Sequence, residues 1–296
     1  MILLFVFIVI ASIGTAVLDT TEDRYLLENY VEDSVNTQQI LLISDSISEA
    51  LIKVLNKDDK SVDYIGEFWS KNIPLALENV KVEVQIVDQE RFLNPNRVIT
   101  GEKIDKKFFG ILERLFDTVQ INNQILYNII DWIDADSFSN GGKEDYRLYP
   151  AKNSYIDTVE EFLLIDGVDS KVFNGKIING RFFPGLKSVL SPYSNGKVNI
   201  NTASKWVLMA LDEEIDSSLA SKIISYRKEK PFKNVDELVL IDGFSSDILY
   251  RIRLYIDVKS ENFLADVGIT FGGRKYKLVI LLNRKNKTKV VWKKIQ

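Results

Sequence analysis

Histidine and cysteine are both absent from the 296 residues. Their absence removes Ser-His-Asp and Cys-His catalysis, thiolate redox chemistry, disulfides, and zinc sites built on imidazole or sulfur. Carboxylate chemistry and oxygen-ligated metals remain open. A chain without thiols suits an oxidising compartment, where a free cysteine would mispair, although many cytosolic domains lack cysteine too. A surplus of basic charge is also missing: 38 Lys and Arg stand against 42 Asp and Glu, a formal charge of −4 with a pI near 5.2. Broad affinity for nucleic acid needs clustered cations with little acidic competition, so this balance argues against it while leaving room for a local basic patch. With 46% hydrophobic residues, the chain can bury one large core or two modest ones.

Charge is missing altogether from Met1 to Leu18, MILLFVFIVIASIGTAVL. As a helix rising about 1.5 Å per residue this run covers roughly 27 Å, just short of a bilayer core of about 30 Å. A cleaved signal peptide is the main alternative, but the run lacks a basic n-region; a buried core helix is the other. The residues beyond Leu18 favour one long helix. Helical periodicity continues through Ile40, Ile43, Ile47, Leu51 and Val54, with no Pro or Gly between Val17 and Asn56. Such a helix extends on the order of 80 Å, apolar all round in its first third and amphipathic later, with Glu22, Asp23, Glu28, Glu32 and Asp33 solvated. That is the shape of a pilin stalk. Pilin-class proteins usually begin with a short basic leader ending in Gly, and none precedes Met1, so either the start is misplaced or the chain is given in its mature form.

After a polar break, KDDKSVD, and a short apolar helix or loop around Phe68 and Trp69, the sequence alternates. Val80, Val82, Val84 and Ile86 point one way and Lys81, Glu83 and Gln85 the other, the two-residue period of a half-buried strand lying on the stalk helix. Two helical patterns come next, Phe109, Leu112, Phe116 and Val119, then Leu126, Ile129, Ile130 and Ile133. Residues 159–170 repeat at 235–246: Val159, Glu161, Leu164, Ile165, Asp166, Gly167 and Ser170 recur as Val235, Glu237, Leu240, Ile241, Asp242, Gly243 and Ser246. The repeat predicts a helix ending in a Gly-bearing hairpin used twice, the Gly permitting a positive φ. From Phe263 the pattern is that of strands, with a Gly272-Gly273 turn, a second turn at 283–286 and a short last strand near Val290 to Trp292.

Residues 198–255 contain VNINTASKWVLMAL and SKIISYRKEKPFKNVDELVLIDGF, which resemble the tandem helix-hairpin-helix module of competence DNA-binding proteins. In that module a Gly-bearing hairpin offers backbone N–H groups to phosphate. Here the first hairpin reads Leu211-Asp212-Glu213-Glu214-Ile215, without Gly and with three carboxylates where a phosphate belongs. From Lys197 to Asp257 nine basic residues stand against ten acidic ones, so the segment is not a basic face. A structural or protein-contact role is expected, and no nucleic acid.

Asp131, Asp134, Asp136, Glu144 and Asp145 fall within fifteen residues, around the turn Ser-Asn-Gly-Gly. Crowded carboxylates raise one another's pKa unless a cation neutralises them, and an all-oxygen set suits Ca²⁺. The spacing is not that of an EF-hand, because Phe138 falls where its third ligand belongs. A solvated loop that merely caps the next helix is the plain alternative, and Asp131, still on the helix, is the weakest ligand candidate. An enzyme with paired carboxylates would rest on this loop alone.

Taken in order, VDQERFLNPN at 87–96, DWIDADS with the later Gly-Gly-Lys-Glu-Asp, VEEFLLIDGV, GKVNINTAS and the terminal meander resemble the type II secretion minor pseudopilin K family over nearly the whole chain. The resemblance implies an α+β fold, a pilin-like long N-terminal helix plus a small antiparallel sheet with a large α-helical insertion containing helix-hairpin-helix-like elements. Residues 1–18 are then the transmembrane part of that helix, 19–100 the pilin-like helix and first strand region, 101–258 the insertion, and 259–296 the meander completing the sheet. It implies a non-catalytic subunit that caps the pseudopilus tip, joined to minor pseudopilins I and J above the major pseudopilin filament. It places the chain in the inner membrane with a single pass and its bulk in the periplasm. Calcium would be held by Asp134, Asp136, Glu144 and Asp145. The acid near the mature start by which other pilins pair is lacking here, with Phe5 and no acid before Asp19, which fits a terminal subunit. A membrane-tethered helix-hairpin-helix DNA receptor of competence type is the alternative.

Overall fold

The computed structural model describes residues 2–77, 80–101 and 103–296, and for several of these, mostly before residue 34, only the backbone. A single helix, α1 (Ile2–Lys57), opens the chain. Its later turns bury Ile40, Ile47, Leu51 and Leu55. The 3.6-residue period sets these on one face, and burying each contributes about 1.5–3 kcal/mol. Ser44 and Ser48 share that face and donate their hydroxyls to the carbonyls of Leu41 (2.8 Å) and Ser44 (2.7 Å), which satisfies them in an apolar setting. Among the described residues no helix carries a stretch long and apolar enough to cross a membrane. Most side chains of the Met1–Leu18 run, and those of Glu22, Asp23, Glu28, Glu32 and Asp33, lie outside the described ones.

Strands β1 (Ile73–Leu77) and β2 (Val80–Asp88) come next, and the chain then leaves the sheet. It continues through β3 (Ile99–Thr100), β4 (Lys103–Ile104), α2 (Lys106–Thr118), α3 (Gln124–Ile133), α4 (Ser170–Asn174), β5 (Gly175–Ile178) and β6 (Arg181–Pro184). After these stand β7 (Val198–Asn199), α5 (Lys205–Leu211), α6 (Ser217–Glu229), α7 (Ser246–Ile252) and β8 (Ile256–Asp257). The chain returns through β9 (Asn262–Phe271), β10 (Arg274–Asn283) and β11 (Lys289–Ile295).

The main sheet has the order β1-β2-β9-β10-β11, antiparallel throughout. In β2, Val80, Val82, Val84 and Ile86 are buried while Lys81, Glu83 and Gln85 face solvent, as the alternation requires. The β9–β10 hairpin turns on Gly272 (φ 56°) and Gly273 (φ 74°), the pair of positive angles that a two-residue turn between twisted strands needs. Strand β1 is not expected from a segment containing Pro74; it lies at the sheet edge, where a missing N–H is tolerated. The buried face of α1 packs with Val82, Val84, Val267, Ile269, Leu278 and Ile280 into one core. Trp69, on a short 3₁₀ turn (Phe68–Ser70), closes that core edge-on to Phe263 at 5.1 Å.

A second core, from Leu93 to Val258, belongs to the insertion. Helix α2 buries Phe108, Leu112, Leu115 and Phe116, and α3 buries Leu126, Ile129, Ile130 and Ile133. Asp105 caps α2 by accepting from the N–H groups of Lys107 and Phe108, both at 3.1 Å. The chain is thus an α+β protein in which a helix-on-sheet frame is interrupted between β2 and β9 by a largely helical insertion.

A buried polar network joins the two parts. Asp88, at the end of β2, accepts from the Thr202 hydroxyl (2.5 Å), Asn199 Nδ2 (3.3 Å) and the Glu90 N–H (2.8 Å). Glu90 accepts from the Asn195 N–H (3.0 Å) in the insertion and from Asn262 Nδ2 (2.8 Å) at the start of β9. Arg284 Nη1 meets Asp58 at 2.8 Å, its Nη2 meets Asp63, and its Nε donates to the Ser260 carbonyl at 3.1 Å. Asn199 Nδ2 also donates to the Asp63 carbonyl at 3.0 Å, so the insertion is fastened just beyond the end of α1 as well as at the end of β2.

Candidate functional site

The acidic loop leaves the C-terminal end of α3. Asp131, in the last turn, is fully buried. Its Oδ1 accepts from the Asn140 N–H at 2.9 Å, and its Oδ2 accepts from the Ser139 hydroxyl (2.8 Å) and the Gly142 N–H (2.9 Å). These bonds fold the loop back on its own helix. At Gly142 the backbone comes so close that a Cβ would stand 2.3 Å from the Tyr127 carbonyl oxygen, so only Gly fits.

This closure brings Asp131, Asp134 and Glu144 together, with one carboxylate oxygen of each lying within 4.8 Å of the others. Asn140 Nδ2 donates to Asp134 Oδ2 at 2.8 Å. Asp134 Oδ1 and Glu144 Oε1 are buried and receive no hydrogen bond. Burial raises the Asp134 carboxyl despite the Asn140 bond, and the Asp131 and Asp136 charges add to that. Burial, with the charges of Asp134, Asp131 and Asp136, pushes Glu144 up to about 7. Two orphaned oxygens beside a third carboxylate fit a hard cation that takes oxygen ligands.

Of the four ligands expected from sequence, Asp134 and Glu144 meet in this group. Asp136 is exposed and accepts from the Phe138 N–H at 2.8 Å, and Asp145 is exposed beyond the turn. Asp131 stands in the group although its helical position makes it the weakest candidate by sequence. A signal for it exists: Asp134 follows Asp131 at i+3 at a helix end, which places both on one side. A second acidic group, Asp58, Asp63 and Glu67, is already neutralised in part by Arg284.

The sequence repeat has a structural counterpart. Residues Val159–Leu164 and Val235–Leu240 are both 3₁₀ helices. Gly167 (φ 84°) and Gly243 (φ 91°) come next in the left-handed region, and Asp169 and Ser245 then cap α4 and α7. Even the ion pair before each Gly recurs, Lys143 with Asp166 (3.0 Å) and Lys222 with Asp242 (2.6 Å).

Between α5 and α6, the position of a phosphate-binding hairpin is occupied by ion pairs. Arg251 holds Asp212 through Nε (2.7 Å) and Nη2 (2.8 Å), and also reaches Glu214 at 2.5 Å. Burial would raise Asp212, yet the Arg251 hydrogen bonds outweigh it and hold the carboxyl below its usual range. Asp212 also accepts from the Glu214 N–H at 3.1 Å, and Arg114 donates to the last carbonyls of α5, those of Ala210 (3.0 Å) and Leu211 (3.1 Å). Asp212 and Glu214 of the loop are thus spent on Arg251 of α7.

Two family profiles match the chain, over residues 92–175 and 198–258, and both are described as type II secretion system (T2SS), protein K. The chain belongs to the type II secretion system protein K family. The first segment takes in α2, α3, the acidic loop and the first copy of the repeat, and the second takes in the paired helices with the second copy. In fold, the protein is similar to a chain in the crystal structure of the GspK-GspI-GspJ complex from the type 2 secretion system of enterotoxigenic Escherichia coli. The TM-score is 0.71 at 17% identity, covering 90% of this chain and 99% of that one. No curated protein sequence matches. The likeness in fold therefore persists at an identity where side chains have largely changed, and the protein K family assignment rests on the two insertion segments.

Proposed function

We propose that the chain is the minor pseudopilin that caps the tip of the type II secretion pseudopilus, a non-catalytic subunit assembled with I-type and J-type minor pseudopilins above the major pseudopilin filament. The observation that carries this reading is the frame itself, one long helix on an antiparallel sheet interrupted by a bulky insertion fastened at the end of α1. Such a frame can pack beneath neighbours through α1 while the insertion obstructs the position above.

Residues 1–18 serve as the single inner-membrane pass and the rest lies in the periplasm. The uncharged run and its continuation into α1 support this. Beyond the run, α1 exposes Leu27, Tyr30, Val31, Val35, Leu41 and Leu42, apolar surface that a lone subunit would leave in water and that packed partner helices would cover. Calcium is the cation for Asp131, Asp134 and Glu144, and the orphaned oxygens of Asp134 and Glu144 support it.

Co-expression with I-type and J-type minor pseudopilins, followed by affinity purification of the tagged chain from detergent-solubilised membranes, tests the assembly. Recovery of all three in one complex is expected. Recovery of this chain alone would overturn the reading.

A further inference from the structure

Between Asp169 and Asp212 the chain carries no acidic residue and six basic ones, Lys171, Lys176, Arg181, Lys187, Lys197 and Lys205, although the whole chain is net negative. The segment folds as α4 followed by the β5–β6 ribbon. Asn179 (φ 48°) and Gly180 (φ 75°) turn the ribbon, and no third strand pairs with it among the described residues.

Its two faces differ. Lys176 pairs with Phe183 and Ile178 with Arg181 on one face, where Phe183 meets Trp206 at 5.6 Å and the Arg181 guanidinium lies over both rings at 5.2 Å. On the other face Ile177 stands opposite Phe182, and the two are 73% and 56% exposed. The Phe182 ring lies over Gly175, where a Cβ would meet it at 2.8 Å. Lys176 donates to the Gln120 carbonyl and Lys187 to Asn174 Oδ1. Among the described residues, Lys171, Lys176, Arg181, Lys187 and Lys205 form no ion pair; Asp169, at the border of the patch, is spent as the cap of α4 through the N–H groups of Lys171 and Val172, both at 2.8 Å.

We infer that this ribbon is a docking site for an extended acidic segment of a partner protein, one in which aliphatic residues alternate with carboxylates. Added alongside the ribbon, such a segment sets its aliphatic side chains against Ile177 and Phe182 and its carboxylates beside Arg181 and Lys176, because side chains alternate between the faces of a strand. Charge complementarity selects the acidic segment and the exposed cross-strand pair selects the alternation. A membrane surface fits less well. On the reading proposed above, residues 1–18 hold the bilayer, and α1 carries the attachment point of the insertion about 58 Å beyond Leu18.

The test uses the full chain in detergent and two short fluorescein-labelled peptides, one alternating Glu with Val and one alternating Lys with Val, read by anisotropy with and without glycerol 3-phosphate as a soluble stand-in for a lipid headgroup. The acidic peptide should bind, more weakly as salt rises. The double variant I177S/F182S and the single variant R181E should each weaken it by about tenfold or more while the chain still melts in one cooperative transition. The inference fails if the Lys peptide binds equally well, if the variants bind the acidic peptide as the parent does, or if glycerol 3-phosphate displaces the acidic peptide more than sodium chloride of the same ionic strength does. Co-purification of the same variants with I-type and J-type subunits separates failure here from failure of the tip assignment, since the ribbon variants should still assemble.

Discussion

Gly142, eleven positions on from Asp131, donates its N–H to Asp131 Oδ2 at 2.9 Å and so ties the acidic turn to the helix that it leaves. Asp131 therefore organises the loop as well as facing the cation position. Removing its carboxylate strips the partner from three donors. Asp131→Ala should cost about 2–4 kcal/mol even in chelator, because hydrogen bonds to charged groups contribute more than neutral ones. Asp134→Ala should be mild in chelator and should abolish the stabilisation by calcium. Melting curves with EGTA and with calcium distinguish the two; equal behaviour of both variants would contradict the division of roles.

Calcium itself should raise the melting temperature of the parent chain, by about 2.7 kcal/mol of stability at a hundredfold excess over Kd, since a ligand of the folded state alone must do so. Magnesium should do less, given its demand for octahedral geometry. A chelator that leaves the melting temperature unmoved would remove the cation from the account.

Gly142→Ala should destabilise by about 1–3 kcal/mol, because the added methyl meets the Tyr127 carbonyl and the backbone must move. It should also weaken the calcium response, which requires the loop to close. Urea melts of the variant with and without calcium report both effects.

Arg284→Met should cost about 3–5 kcal/mol, the usual result of leaving buried carboxylates without their cation. Asp58 and Asp63 would lose their shared partner at the point where the insertion joins the frame. Proteolysis should then cut between β2 and the insertion sooner than in the parent; an unchanged urea midpoint would count against the junction as described.

Burial raises Glu90 and Asp88, and for Glu90 the Asp88 charge adds to it. A carboxyl raised in the folded state binds protons that the unfolded chain, with pKa near 4, has released. This contribution is therefore fully present below about pH 4 and is lost as pH rises through the higher folded values. In chelator, which removes the calcium term, the chain should be more stable at mildly acidic than at alkaline pH. Asp88→Asn should flatten that slope, as shown by urea midpoints taken across the range.

The parts legible in the sequence are those with a local period. The long helix, the alternation of β2 and the Gly272-Gly273 hairpin each arise from spacing within one segment, and the repeat from comparing two. Strand β1 is hidden by Pro74, which edge position excuses. The junction of Asp88, Glu90, Asn199 and Arg284 leaves no local signal, since its members come from the frame and the insertion and meet only after both fold. In the acidic loop the residue types point to the chemistry, but closure by the Asp131 hydrogen bonds decides which carboxylates converge.

The central claim, assembly at the pseudopilus tip through α1, is tested most directly by cysteine cross-linking, for which a chain without native cysteine is suited. Leu42→Cys on α1 and Phe138→Cys on the insertion, both exposed in the isolated chain, would each be paired with single cysteines along the helices of co-expressed I-type and J-type subunits. The account predicts disulfide-linked complexes from position 42 and none from position 138. Cross-linking from neither position, or from position 138 alone, would contradict it.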